Sequence, residues 1–260
     1  MTLVILDVDD TLFDWLGMWS TSFSIVLDGL TRTSTQSRAE QIAILRQFHV
    51  AARTSEREFT TDDHRALNIC EQEFRDLIEM HERSTTKLTI PFDGVLTTII
   101  SLKAMGVRVV AHTDTPRQIA EDRFVKLGFD GIVDALFATQ GNDVTTFRRS
   151  RLTATKSAIF SSPYLKPDPR NVLAIMDHYS VCPADCIYVG DSKTKDMPMA
   201  RAAGVRDVFA AYGCQRSSDA YSLLRSVSHW TDEDIAHEQT LLRSEATYSI
   251  ASFPHLISVL

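Results

Sequence analysis

The chain has 260 residues, of which 44% are apolar, and a formal net charge of −7. It is long enough to bury a sizeable core, and its composition reads as soluble and globular. The acidic excess, with no strong basic run against it, argues against general affinity for nucleic acid or an anionic membrane surface, so an anionic ligand needs a local positive site.

The first predicted element is the apolar run Leu3–Leu6 in "LVILDVDDTLFDW", which stops abruptly at Asp7. It is too short for a signal-peptide core, and no uncharged stretch approaches the length of a bilayer span. The expected location is cytoplasmic. Asp7, Asp9 and Asp10 then crowd together, and carboxylates that close repel unless a cation holds them.

Residues 15 to about 83 carry helix-period apolar spacing in "RAEQIAILRQFHVAA" and "CEQEFRDLIEMH" and no strand pattern, so they predict a helical domain inserted after the first strand. Its exit, "RSTTKLTIPFDG", reads as a linker. The domain boundaries expected are 15–85 for the insertion, with 1–14 and 86–260 forming a discontinuous core.

Runs that are apolar at nearly every position recur at 107–111, 132–138, 186–189 and 208–211, with a weaker one at 248–251. Strands buried on both faces of a parallel sheet show this pattern. Helical patterns separate them, which predicts an α/β fold with a doubly wound parallel sheet. In "TPRQIAEDRFVKLG" Thr115 is expected as the cap, with Pro116 at the first helical position, Gln118 completing a capping box and Gly128 closing the helix. "DPRNVLAIMDHY" repeats that logic with Asp168 and Pro169. The Ser/Thr-rich segment 140–163, with Arg148, Arg149, Arg151 and Lys156, supports no assignment. Helices are expected in "YSLLRSV" and "TDEDIAHEQTLLRSE". Cys70, Cys182, Cys186 and Cys214 match no common zinc or redox spacing and are expected as buried, reduced thiols.

Ligands of open parallel sheets bind beyond the carboxyl ends of the strands. There the first strand delivers Asp7 and Asp9, the second Thr113 and Asp114, the segment before a helix Lys166, and "CIYVGDSKTKD" Asp191 with Asp196 five residues on. Asp7, Asp9 and Asp191 form a hard oxygen set suited to Mg²⁺, the counter-charge that the opening stretch demands. Lys166 and Thr113, the latter beside a helix start, can bind phosphate oxygens. Phosphoryl transfer suits such a site, because it depends on positioning and charge neutralisation. Taken singly, each residue has a plainer role open to it: an Asp can cap a helix, a Lys can sit solvated. Their joint order in the chain carries the reading.

The motifs "DVDDT", "VVAHTD", "LKPDP" and "VGDSKTKD" resemble, in order, the four motifs of the haloacid dehalogenase-like (HAD) superfamily of hydrolases, over residues 1 to about 211. The helical insertion is similar to that family's C1-type cap, and the core to its Rossmann-like fold. The resemblance implies that Asp7 is the nucleophile, forming an aspartyl-phosphate, and that Asp9 is the general acid–base. It implies that Lys166 and Thr113 stabilise the phosphoryl oxygens, with Asp114 beside them. It further implies Mg²⁺ held by Asp7, the Asp9 backbone carbonyl and Asp191, with Asp196 as a ligand or a support. Asp10 is left a structural role. An aspartate at position 9 favours phosphate chemistry over dehalogenation.

The function expected is a Mg²⁺-dependent phosphatase of a small phosphorylated metabolite, without nucleic-acid or membrane partners. A phosphomutase, a dehalogenase-type hydrolase and a non-catalytic phospho-ligand binding protein are the alternatives. A receiver-type signalling module is disfavoured by length and by the insertion, and dinucleotide binding by the lack of a Gly-rich fingerprint. His49, His64, Arg57 and Arg65 of the insertion are candidates to meet a substrate, but a lone His or Arg on a helix is usually a surface or packing residue, and none is assigned a role. Substrate identity and oligomeric state stay open.

Overall fold

The computed structural model describes residues 2–140, 150–160, 164–214, 217–241 and 246–260. Contacts divide the chain into two compact units. One comprises Met1–Asp14, Ile90–Gln215 and Glu238–Leu260; the other comprises Trp15–Thr89 and Arg216–His237.

The first unit is built on a seven-stranded, all-parallel sheet of order β4-β3-β2-β1-β5-β6-β7. Its strands are β1 (Leu3–Leu6), β2 (Arg108–Pro116), β3 (Ala135–Thr139), β4 (Lys156–Phe160), β5 (Cys186–Gly190), β6 (Arg206–Ala210) and β7 (Tyr248–Ile250). From β1 the chain winds outward to β4, then returns to β5 on the other side of β1 and winds outward again. The order reverses between β1 and β5, the switch point at which doubly wound sheets bind ligands.

Every residue of β1 is fully buried, as the uninterrupted apolar run requires. Leu3 and Ile5 join a cluster with Val110, Tyr188, Val172, Ile175 and Met199, the last three from α7 (Arg170–Tyr179) and α8 (Asp196–Ala202). Side chains alternate along a strand, so Val4 and Leu6 face the opposite side. Each such side chain stabilises the fold by about 1.5–3 kcal/mol when removed from water. The helices α5 (Val95–Ala104) and α6 (Arg117–Leu127) pack on β2, and α6 also on β3.

The second unit holds α1 (Trp15–Thr33), α2 (Arg38–Ala52), the short α3 (Asp63–Ala66), α4 (Glu71–Leu88) and, from the far end of the chain, α9 (Ser218–Val227). Ser37 and Glu40 form a capping box at the start of α2. α1 packs along α4, and α9 packs on both α1 and α2. His49 of α2 donates from Nδ1 to the Val227 carbonyl at 2.7 Å, which ties the returning segment to the helices. Residues 216–237 fall inside the range 86–260 that the sequence assigns to the core. α10 (Asp232–Leu241) follows. No helix among the described residues is long and apolar enough to cross a membrane.

Several local expectations need correction. α4 runs to Leu88, so only the last part of "RSTTKLTIPFDG" is linker; Ser84 accepts a hydrogen bond from Ser22 of α1, and that packing carries the helix on. β2 extends to Pro116, which makes Pro116 the cap of α6 and leaves Thr115 in the strand. Gly128 closes α6 with φ of 74°, as expected. α7 begins at Arg170, so Pro169 and not Asp168 is its cap residue; Asp168, one position earlier, accepts from the Arg170 backbone N–H at 3.0 Å. β4 arises inside the unassigned segment, where Arg148 and Arg149 lie outside the described residues. Of the four cysteines, all free, only Cys186 is buried, and burial pushes its thiol up to about 12. Cys70 and Cys182 precede helical segments, Cys214 ends a short 3-10 helix, and all three are exposed.

Candidate active site

The carboxyl ends of β1, β2 and β5 bring the sequence-predicted residues together. Asp7 follows β1 directly, and its N–H donates to the Val189 carbonyl at 2.8 Å, extending the ladder. Asp191 follows β5, and Asp196 opens α8. One carboxylate oxygen from each of Asp7, Asp191 and Asp196 lies within 4.8 Å of the others, and all three residues are buried.

Two glycines make this approach possible. A Cβ at Gly190 would lie 2.3 Å from Asp196 Oδ2, and one at Gly213 would lie 1.7 Å from the Asp10 carbonyl oxygen. Asp10 itself is buried with φ of 58°, a left-handed turn that folds "DVDDT" back at the strand end.

Lys166 is 8% exposed and supplies a cation inside the acidic cluster. Its ammonium donates to Asp7 Oδ1 and lies 2.9 Å from Asp196 Oδ1. Burial works against its charge, but Asp196 and Asp7 outweigh it and hold its pKa well above the usual lysine value. Burial pushes the Asp7 carboxyl well above the usual range, against the pull of Lys166. The Thr11 hydroxyl donates to Asp7 Oδ2 at 3.1 Å.

Asp114 accepts the Lys166 backbone N–H at 3.2 Å on each oxygen, so its carboxylate anchors the loop that presents the lysine. The Thr113 hydroxyl accepts from the Thr115 N–H at 3.1 Å, and an O–H so bound can still donate. Asp196 Oδ2 accepts the Ser192 N–H at 3.0 Å, while Asp196 Oδ1 is buried without a hydrogen bond of acceptable geometry. That oxygen faces the Lys166 ammonium, and one lysine leaves the three clustered carboxylates with an excess of negative charge that a shared cation would offset. The donor set, all carboxylate oxygen, fits a hard divalent ion.

Two residues at this end were not singled out for the site by the sequence reading. Thr115 donates its hydroxyl to Asp9 Oδ2 at 2.9 Å, and Arg123 of α6 donates to Asp9 Oδ1 at 2.5 Å. A signal for the second existed: Arg123 falls on the stripe of Ala120, Phe124 and Leu127, where a charge needs a partner. The insertion's candidates are engaged within their own unit. Arg57 pairs with Asp63 at 2.6 Å, Arg65 with Asp62 at 3.2 Å, and His64 meets the Thr61 carbonyl. Arg151 pairs with Asp122, and Lys156 begins β4, at the opposite end of the sheet from the site.

A buried carboxylate cluster with a lysine against it lies at the switch point of a doubly wound sheet, an arrangement that suits phosphoryl transfer. The sequence profile of the haloacid dehalogenase-like hydrolase family matches residues 1–204, and the chain belongs to that family. It is 26% identical over 144 residues to a phosphoglycolate phosphatase of Xylella fastidiosa, across 55% of this chain and 54% of that protein. The chain thus spans about half the length of the curated relatives it matches. In fold it is similar to a protein of Thermotoga maritima provisionally described as a β-phosphoglucomutase, with a TM-score of 0.59, 18% identity and coverage of 100% and 98% of the two chains. A magnesium-bound protein of Bacillus subtilis, provisionally described as a HAD-hydrolase, has a TM-score of 0.57, 15% identity and coverage of 100% and 98%.

Proposed function

We propose that the chain is a Mg²⁺-dependent phosphatase that hydrolyses a small phosphomonoester in two steps on Asp7. The observation that carries this reading is the buried cluster of Asp7, Asp191 and Asp196, with Lys166 paired to Asp7 and Asp196. The likeness to phosphoglycolate phosphatases supports it and makes 2-phosphoglycolate the first metabolite to try.

In the first step an Asp7 carboxylate oxygen attacks phosphorus, the bond from phosphorus to the leaving oxygen breaks, and Asp9 gives that oxygen its proton. In the second, water attacks the aspartyl-phosphate, passes a proton to Asp9, and the bond from phosphorus to Asp7 breaks. Splitting one displacement in two, with an acid–base group serving both halves, lowers each barrier. Lys166 and the Thr113 hydroxyl neutralise the equatorial oxygens, together with the backbone N–H of Asp114. The Asp114 carboxylate holds the Lys166 loop. Asp7, the Asp9 carbonyl, Asp191 and Asp196 would hold the Mg²⁺, with Asp196 as ligand or support; when bound, it supplies charge neutralisation at the phosphoryl group. The helical unit is assigned the role of a C1-type cap.

The test is hydrolysis of 4-nitrophenyl phosphate with and without Mg²⁺, beside Asp7→Asn. Mg²⁺-dependent release of inorganic phosphate, lost in a variant that keeps its fold, is the expected result. Substantial turnover by Asp7→Asn would sink the nucleophile assignment, and phosphate passed to a sugar acceptor instead of water would make the chain a mutase.

A further inference from the structure

Asp9 carries the acid–base role in the reading above, and the inference that follows rests on that reading. Its carboxylate is gripped on both oxygens: Arg123 on Oδ1 at 2.5 Å and Thr115 on Oδ2 at 2.9 Å. Arg123 is 5% exposed, and its guanidinium lies 5.2 Å from the centre of the Phe13 ring, also buried. Ordering and burying an arginine this fully is costly without a matched anion. α6 therefore places a cation on its buried stripe where Ala120, Phe124 and Leu127 make ordinary core contacts. Its position two turns along α6 lets the helix, a rigid element packed on β2 and β3, fix the direction of a side chain on the loop after β1.

We propose that Arg123, assisted by Thr115, is the positioning residue for Asp9, fixing its carboxylate toward the leaving-group oxygen. A carboxylate has about four lone-pair sites, so two donors leave others to carry or take a proton. Without the clamp the side chain keeps its chemistry but loses its aim, and a misplacement of about 1 Å costs on the order of a hundredfold.

The role predicts a selective loss. An alkyl leaving group needs its oxygen protonated as the bond to phosphorus breaks, whereas 4-nitrophenolate leaves as a stable anion. In Arg123→Met, kcat/KM for an alkyl phosphomonoester should fall about tenfold to a hundredfold further than kcat/KM for 4-nitrophenyl phosphate. Arg123→Lys, which restores the charge at shorter reach, should recover part of the alkyl-to-aryl ratio. A general structural defect lowers both substrates together, so an unchanged ratio in folded Arg123→Met overturns the proposal. If that variant does not fold by circular dichroism, Thr115→Val carries the test through the same ratio with a smaller shift, and no shift there overturns it. Failure of the wild-type chain to turn over either substrate removes the phosphatase reading itself and this role with it. Wild-type turnover with an unchanged ratio removes the role alone.

Discussion

Gly190 is the last residue of β5, next to Asp191, and the Asp196 side chain occupies the space where a Cβ would stand. Gly190→Ala forces the Asp196 carboxylate outward. Overpacking of this kind costs about 1–3 kcal/mol, and it also breaks the geometry of the proposed cation site. The expected outcome is a lower unfolding midpoint together with a raised Mg²⁺ concentration for half-maximal turnover; an unchanged Mg²⁺ dependence would show that Asp196 is no support to the ion. At this scale the sequence was informative where residue type and motif order coincide. Asp7, Lys166, Asp191 and Asp196 meet in the structure as their order implied. Thr115 and Arg123 belong to none of the four ordered motifs in a binding role, so motif order did not lead to them, and only the charge of Arg123 on the buried stripe of α6 hinted at a partner.

Among the elements, those with uniform apolar runs were legible to within a few residues, because burial on both faces leaves no other pattern. β4 was not, since "KSAIF" sits at the sheet edge, pairs with β3 alone and carries polar residues. What fixes the start of β4 is the turn before it. Asp130 accepts the backbone N–H groups of Thr153, Ala154 and Thr155 at 2.8, 3.0 and 2.8 Å, as well as the Thr153 hydroxyl at 2.6 Å. These bonds favour the charged carboxylate and outweigh its partial burial, holding its pKa well below the usual aspartate range. Asp130→Ala removes all of them and should cost about 1–2 kcal/mol. Faster amide exchange in β4 than in β1 would locate the loss at the edge; equal change across the sheet would refute a local role.

For the whole molecule, the helical insertion was legible from its period. Its return segment was not, because 216–237 is bound by tertiary contacts such as the one from His49 to Val227. That same unit contains all three tryptophans, Trp15, Trp19 and Trp230, so their fluorescence reports its unfolding. It also holds two histidines whose burial disfavours the charged form. His81, edge-on to Phe59 at 5.7 Å, is lowered to about 4, and His49 is lowered by burial against the pull of the Val227 carbonyl. The unfolded chain, with histidine near 6.5, binds more protons between those values, so stability rises with pH across that window. The contribution is fully present above about pH 6.5 and drains away as the pH falls towards 4; for His81, partly exposed, it is at most about 3 kcal/mol. The fluorescence midpoint for denaturant unfolding should therefore drop between pH 7.5 and 5. His81→Phe keeps an aromatic ring against Phe59 and removes one titrating group, so it should flatten that dependence. An equally steep loss in the variant would place the acid sensitivity elsewhere in the unit, with His49 the next residue to replace.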